Sequence, residues 1–265
     1  MNKIKTEDVK NFWEKNPLCS IESKFTIGSS DFFSDYDYQR EEIETIERSY
    51  EIHEYQKFKG KKVLDVGCGN GYVLNFYSKE GAHVHGIDLT KTAIDLTKKR
   101  FEMNNLNGEF SVQDAQNLLY EDNYFDCICS MGVLHHVPDT QKAISEIFRV
   151  LKPGGRIIVM FYHKNSFKFQ WNFRLQSLIY RKKIEQIVNE FDGKTNPKGA
   201  TYTKEDLLKL LHDFIEIEFS VGYILPSDII PLSRISDRFL PKNIFKPLEK
   251  YFGWNLYAKG FKPYE

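Results

Sequence analysis

The sequence predicts an α/β protein built on a doubly wound, mostly parallel, seven-stranded sheet with helical lid insertions. Three observations carry this expectation. Five short β-rich runs alternate with helical patterns between residues 61 and 162, and strands separated by helices pair in parallel through right-handed crossovers. The intervening stretches carry apolar residues at helical spacing and end on turn residues. At 63–71 an apolar run leads directly into three glycines that open a helix.

The five runs are VLDV at 63–66, HVHGID at 83–88, EFSVQD at 109–114, YFDCICS at 124–130 and RIIVMFY at 156–162. Helices are predicted at about 71–80, 91–104 and 140–151. In the last, Asp139 or Thr140 is the cap, Ala143, Ile144, Ile147, Phe148 and Leu151 form the stripe, and Pro153-Gly154-Gly155 is the stop. Residues 1–59 read as an N-terminal helical lid. Thr6 caps a first helix bearing Val9, Phe12 and Trp13, which ends at Asn16-Pro17, and a second helix covers roughly 38–57 with Ile43, Ile46 and Tyr50 on one face. Residues 60–265 form the main domain, with lid insertions at about 164–202 and 222–252. The first insertion reads as a helix over 164–192 with Phe167, Trp171, Leu175, Leu178 and Ile179 on one face, then the loop DGKTNPKGATY. A helix from Thr203 to His212 and a strand from Phe214 to Val221 follow. A segment punctuated by Pro226, Pro231, Pro241 and Pro247 leads to a closing strand in GWNLYAKGF.

Composition bounds the function. In 265 residues, 41% are hydrophobic and 15% aromatic, enough for a sizeable core and too apolar for a disordered chain. Lys plus Arg equals Asp plus Glu, 37 against 37, so a surface devoted to nucleic acid is not expected. Of four cysteines, Cys127 and Cys129 form C-x-C rather than the C-x-x-C of zinc and redox sites, and Cys19 and Cys68 stand apart, which predicts reduced thiols. The N-terminal MNKIKTEDVKNFW holds no apolar signal region, and the apolar run from Ile157 to Tyr162 falls far short of the ~20 residues of a membrane helix. A cytoplasmic protein is expected.

The glycine loop carries the ligand argument. Gly67, Gly69 and Gly71 permit a sharp turn and a close backbone approach, and the helix that follows adds partial positive charge. A dinucleotide site uses a similar loop, but Tyr72 stands where that fingerprint places its third glycine. Asp65, two residues before the first glycine, would repel a pyrophosphate and favour an ammonium group. Asp88 ends the second strand, where a carboxylate can bond both ribose hydroxyls. A ribose and an ammonium without phosphate describe S-adenosylmethionine.

Five segments in order then resemble a class I S-adenosylmethionine-dependent methyltransferase of the small-molecule, quinone-biosynthesis type: VLDVGCGNG, GIDLT, VQDAQNL, FDCICSMGVLHHVPD and VLKPGGRIIV. The resemblance covers about 61–162 and implies a Rossmann-like methyltransferase fold, with S-adenosylhomocysteine as product. It implies cofactor contacts at Asp65, Gly67, Cys68, Gly69, Gly71, Asp88, Leu89, Asp114, Ala115, Ser130 and Met131. No Asn/Asp-Pro-Pro-aromatic motif follows strand four, where Ser130-Met131-Gly132-Val133 stands, no Pro-Cys nucleophile is present, and no acid cluster with Asn suggests a metal.

Methyl transfer needs an aligned acceptor and often a base. His135 and His136, after strand four, are candidates, and Tyr162 and His163, after strand five, are second candidates. The aromatic N-terminal helices and the insertion point to an aromatic or lipid-like small-molecule acceptor. A peptide or RNA acceptor is the alternative, because residues 163–204 hold nine Lys or Arg against three acids. The same basic stretch leaves peripheral membrane contact open without predicting it. A nicotinamide oxidoreductase and a non-catalytic nucleotide-binding subunit are further alternatives.

Overall fold

The computed structural model describes residues 4–17, 23–229 and 245–264. Cys19, Pro231 and Pro241, and part of the second insertion, lie outside the described residues. Helices α1 (Thr6–Lys15), α2 (Ser30–Ile43) and α3 (Ile46–His53) precede the sheet. Its strands are β1 (Lys62–Val66), β2 (His83–Asp88), β3 (Glu109–Val112), β4 (Phe125–Met131), β5 (Leu151–His163), β6 (Thr201–Tyr202), β7 (Ile215–Gly222) and β8 (Asn255–Phe261). Helices α4 (Tyr72–Lys79), α5 (Lys91–Met103) and α6 (Thr140–Val150) connect the first five strands.

The strand order is β3-β2-β1-β4-β5-β8-β7, with the two-residue β6 beside the end of β5. The first five strands run parallel, and β8 is antiparallel to both β5 and β7. The order reverses between β1 and β4, so the loops leaving these strands diverge and open a crevice at their carboxyl ends. Both faces of the sheet are covered. Leu64, Val66, Ile128, Ile157 and Val159 pack with Ile144 and Ile147 of α6 on one face. Val63, Cys127, Cys129 and Ile158 pack with Leu74 and Tyr77 of α4 and Ile94 of α5 on the other. Each large apolar side chain buried this way contributes about 1.5–3 kcal/mol.

Several elements depart from expectation. Pro153-Gly154-Gly155 lies inside a strand. Phe125 pairs with Leu151 and Cys127 with Arg156, so the Pro-Gly-Gly residues form a bulge and β5 starts well before Arg156. The helix expected over 38–57 is two helices. Ser29 caps α2 by accepting the Phe32 N–H at 3.1 Å, and Thr45 caps α3 by accepting the Arg48 N–H at 3.3 Å. Phe32, Phe33 and Tyr36 are buried, whereas Ile46 is exposed. Lys5 occupies the cap position of α1, and the Thr6 hydroxyl reaches Asp114 instead.

The inserted helix is broken into a π-turn (Lys168–Phe173), α7 (Arg174–Tyr180), α8 (Ile184–Asn189) and a 3-10 turn (Glu190–Asp192). Arg181, at φ +52°, ends α7 in the left-handed region. Phe169, Phe173, Ile187 and Val188 are the buried apolar side chains here, while Trp171, Leu178 and Ile179 are exposed. No helix among the described residues is long and apolar enough to cross a membrane.

Candidate active site

A cavity of about 150 Å³, partly open to solvent, fills the crevice. Its floor is the glycine loop, with Val66, Gly67, Gly69 and Asn70 on its wall. The Gly67 and Cys68 N–H groups both donate to the Ile87 carbonyl, at 2.8 and 2.9 Å, which ties the loop to β2. Gly67 sits at φ +82°, and a Cβ there would fall 2.3 Å from Val133 Cγ2. Only glycine fits that turn.

Asp88, Leu89 and Thr90 form one side. Asp88 Oδ1 accepts the Thr90 N–H at 2.9 Å and the Thr90 hydroxyl at 2.8 Å, and Oδ2 accepts the Gly69 N–H at 3.2 Å. Burial pushes its carboxyl up, against these bonds. Gln113, Asp114 and Ala115 form the next side. Asp114 Oδ1 accepts the Gln116 N–H at 2.9 Å, and Oδ2 accepts the Thr6 hydroxyl at 3.3 Å. Met131 ends β4, Gly132 and Val133 follow it, and His136, Val137 and Pro138 complete that wall. Helix α1 lies over the opening, contributing Thr6, Val9 and Trp13.

Not every expected residue reaches the cavity. Ser130 is fully buried and its hydroxyl donates to the Val66 carbonyl at 2.7 Å, a tie between β4 and β1. The Cys68 thiol, pushed up by burial, lies 3.6 Å from the Thr97 hydroxyl behind the loop. Gly71, at φ +79°, starts α4 and lies off the cavity wall. Strand alternation turns Asp65 to the opposite face from Leu64 and Val66, near Cys129. Its Oδ1 is buried without a hydrogen-bond partner, and burial pushes the carboxyl up to about 7, with the Asp88 charge adding to the shift.

The catalytic candidates separate by environment. His136 lines the cavity. A carbonyl only accepts, so His136 Nδ1 carries the proton that it donates to the Lys198 carbonyl. Nε2 has no hydrogen-bond partner and lies 3.7 Å from Asp192 Oδ2. Burial lowers the imidazole's proton affinity, and Asp192 acts against that. His135 lies off the cavity wall, fully buried with both ring nitrogens unpartnered, its ring 3.9 Å from that of Tyr162. Burial holds it well below the usual histidine value. Tyr162 also lies off the wall, and its hydroxyl donates to Asp192 Oδ1 at 2.6 Å. Burial raises its pKa well above the tyrosine value, so it is no base. The buried His163 ring bonds the Gly253 carbonyl through Nδ1 at 3.0 Å.

Two contributors escaped the sequence reading. Asp192 sits in an insertion with no motif around it. Gln116, whose side chain reaches Thr6 Oγ1 at 3.0 Å and both Asp114 oxygens, stands inside VQDAQNL without a signal of its own.

Residues 64–159 match the family described as a methyltransferase domain. The chain is 38% identical over 114 residues to a ubiquinone biosynthesis O-methyltransferase of Coxiella burnetii, covering 43% of this chain and 49% of that protein. It is 34% identical over 145 residues to phosphoethanolamine N-methyltransferase 2 of Caenorhabditis elegans, covering 52% of this chain and 33% of that protein. The chain thus spans about half the length, or less, of these relatives. A solved S-adenosylmethionine-dependent methyltransferase of Methanosarcina mazei shares the fold, with a TM-score of 0.58 at 23% identity, over 81% of this chain and 97% of that one. Residues 64–159 thus match a methyltransferase domain, and the fold is shared with solved S-adenosylmethionine-dependent methyltransferases.

Proposed function

We propose that the protein methylates an apolar small molecule whose acceptor atom gives up a proton to His136. The residues fit the cofactor. Asp88 retains acceptor capacity for a ribose beyond the bonds it already takes, and Asp114 with Ala115 frames the adenine end. Asp65 Oδ1 is buried, unpartnered and off the cavity wall, so the ammonium contact expected of it is not part of this reading. When bound, S-adenosylmethionine supplies the electrophilic methyl group and leaves as S-adenosylhomocysteine.

The chain's own residues do the rest. The loop backbone and Asp88 hold the cofactor against the sheet edge. Helix α1 covers it, and with the 164–202 insertion acts as a lid that excludes water. His136 Nε2, buried in the closed form, takes the acceptor's proton once the lid admits the acceptor, while the Lys198 carbonyl keeps the other ring proton on Nδ1.

The observation that carries this reading is His136 on a wall otherwise made of Trp13, Met131, Val133, Val137 and Pro138. No Lys or Arg lines the cavity among the described residues. A phosphate-bearing acceptor such as phosphoethanolamine would call for cations there, so this wall favours an uncharged, aromatic or lipid-like acceptor.

The test is turnover of methyl-labelled S-adenosylmethionine on two sets of acceptors, apolar hydroxylated aromatics and phosphoethanolamine. Label is expected in the first set, and His136→Gln should lower turnover by roughly 10²–10⁴-fold. Full turnover in that variant, or label only in phosphoethanolamine, would overturn the reading.

A further inference from the structure

We propose that Asp192, supplied by the insertion after β5, is the positioning residue of His136, and that its carboxylate, held by Tyr162, makes Nε2 the proton-accepting nitrogen of the site. This rests on the reading of His136 as the base.

Residues 192–198 clasp the imidazole from both sides. The Lys198 carbonyl takes the Nδ1 proton and fixes the tautomer. Asp192 Oδ2 faces Nε2 at 3.7 Å, and Asn196 Nδ2 lies 3.5 Å from both Nδ1 and Asp192 Oδ2. The short bond from the Tyr162 hydroxyl to Asp192 Oδ1 anchors the carboxylate to β5, so its other oxygen is presented to the ring. A lone pair at Nε2 facing a carboxylate is unfavourable while the ring is neutral and becomes favourable once Nε2 gains a proton. The arrangement therefore stabilises the state produced when the acceptor is deprotonated.

The other groups around the ring do not substitute for Asp192. His135, with its ring 4.2 Å away, supplies no anion, and burial and the Lys198 ammonium disfavour the charged form. That ammonium is held by the Val137 and Pro138 carbonyls and the Thr140 hydroxyl. Trp13 of α1 meets the ring edge-on at 5.2 Å and carries no charge. Asp192 is the one anion facing the imidazole among the described residues. The core sheet thus supplies the base, and the insertion supplies what makes it basic.

The test is nuclear magnetic resonance on protein labelled with ¹⁵N-histidine and saturated with S-adenosylhomocysteine. The His136 signal is assigned by its loss in His136→Gln. The wild-type spectrum should show a proton on Nδ1 and an unprotonated Nε2. Asp192→Asn should lower the ring's proton affinity about tenfold or more, one pKa unit, and Asp192→Glu should recover part of it. Tyr162→Phe, which leaves the anion but frees it, should shift the same way by less, and it serves should Asp192→Asn fail to fold. With an active acceptor, the acid limb of kcat should move to lower pH in Asp192→Asn, whereas a merely structural role would lower kcat at every pH alike. An unchanged titration in Asp192→Asn, or in Tyr162→Phe where that variant alone folds, overturns the proposal. Full turnover in His136→Gln would sink the base itself, an outcome read separately from the titration.

Discussion

Glu14 on α1 grips Thr92 in the first turn of α5, accepting its N–H at 3.1 Å and its hydroxyl at 2.6 Å through one oxygen, while the other takes the Lys91 N–H at 2.9 Å. A side chain from the helix over the cavity thereby satisfies free donors at the start of a helix that begins three residues after Asp88. At its other end α1 is held by the Thr6 hydroxyl on Asp114. One anchor touches the cavity residue Asp114, and the other the helical turn that follows the cavity residue Thr90.

This geometry predicts a removable lid. Removing a helix cap costs about 1 kcal/mol, so Glu14→Ala should raise hydrogen exchange in α1 several-fold and leave β1 and β4 protected. Burial raises the Glu14 carboxyl, but the bonds from Thr92 and Lys91 outweigh it and hold it low. The latch is therefore complete above the ordinary glutamate value of about 4.3 and is lost as pH falls through the lower folded value. Exchange in α1 that is equal in Glu14→Ala and wild type would refute the latch.

Asp88 has two duties. Hydrogen bonds to a charged group are worth roughly 1.5–3 kcal/mol each, so Asp88→Ala should weaken S-adenosylhomocysteine at least about tenfold by calorimetry. It also removes the acceptor of the Gly69 N–H. A loss of thermal stability without ligand should accompany the loss of affinity, and Asp88→Asn should recover stability more than affinity.

Gly67→Ala should abolish measurable cofactor binding. The new methyl group would collide with Val133, and the left-handed backbone adds about 1–2 kcal/mol of strain. Val133→Ala in the same chain removes the two closest contacts, at 2.3 and 2.6 Å, but leaves the Val133 Cβ contact at 2.9 Å and the strain. The double variant should melt between Gly67→Ala and wild type, and a melting temperature equal to that of Gly67→Ala would show that the collision is not the cause.

Acid stability should depend on His53. It is fully buried, stacked on Tyr55 at 5.0 Å with both ring nitrogens unpartnered, and burial lowers its pKa to about 4. A group with a lowered folded value stabilises fully above its unfolded pKa, about 6.5 for histidine. That contribution is lost as pH falls from there towards about 4. Denaturant unfolding from neutral to acidic pH should show this decline, and His53→Phe, similar in shape and unable to ionise, should flatten it. His135 and His136 act in the same direction and leave a residual slope.

Local patterns determined the βα rhythm, the glycine loop and the order of the cofactor-side residues. They could do so because each depends on neighbours in sequence: a buried strand needs a run of apolar residues, and a tight turn needs glycine at fixed spacing. Asp88, Leu89, Asp114, Ala115 and Met131 reach the cavity because a parallel sheet brings every strand's carboxyl end to one edge. Tertiary structure alone decided which histidine meets the cavity. His135 and His136 are adjacent and chemically identical, and the short turn after β4 sends one ring into the core beside Tyr162 and the other to the wall. It also decided that Asp192, 56 positions along the chain, faces His136, and that Phe169 and Phe173 rather than Leu178 and Ile179 are buried. Those outcomes follow from long-range packing and desolvation, which bring together residues with no periodic relation in the sequence.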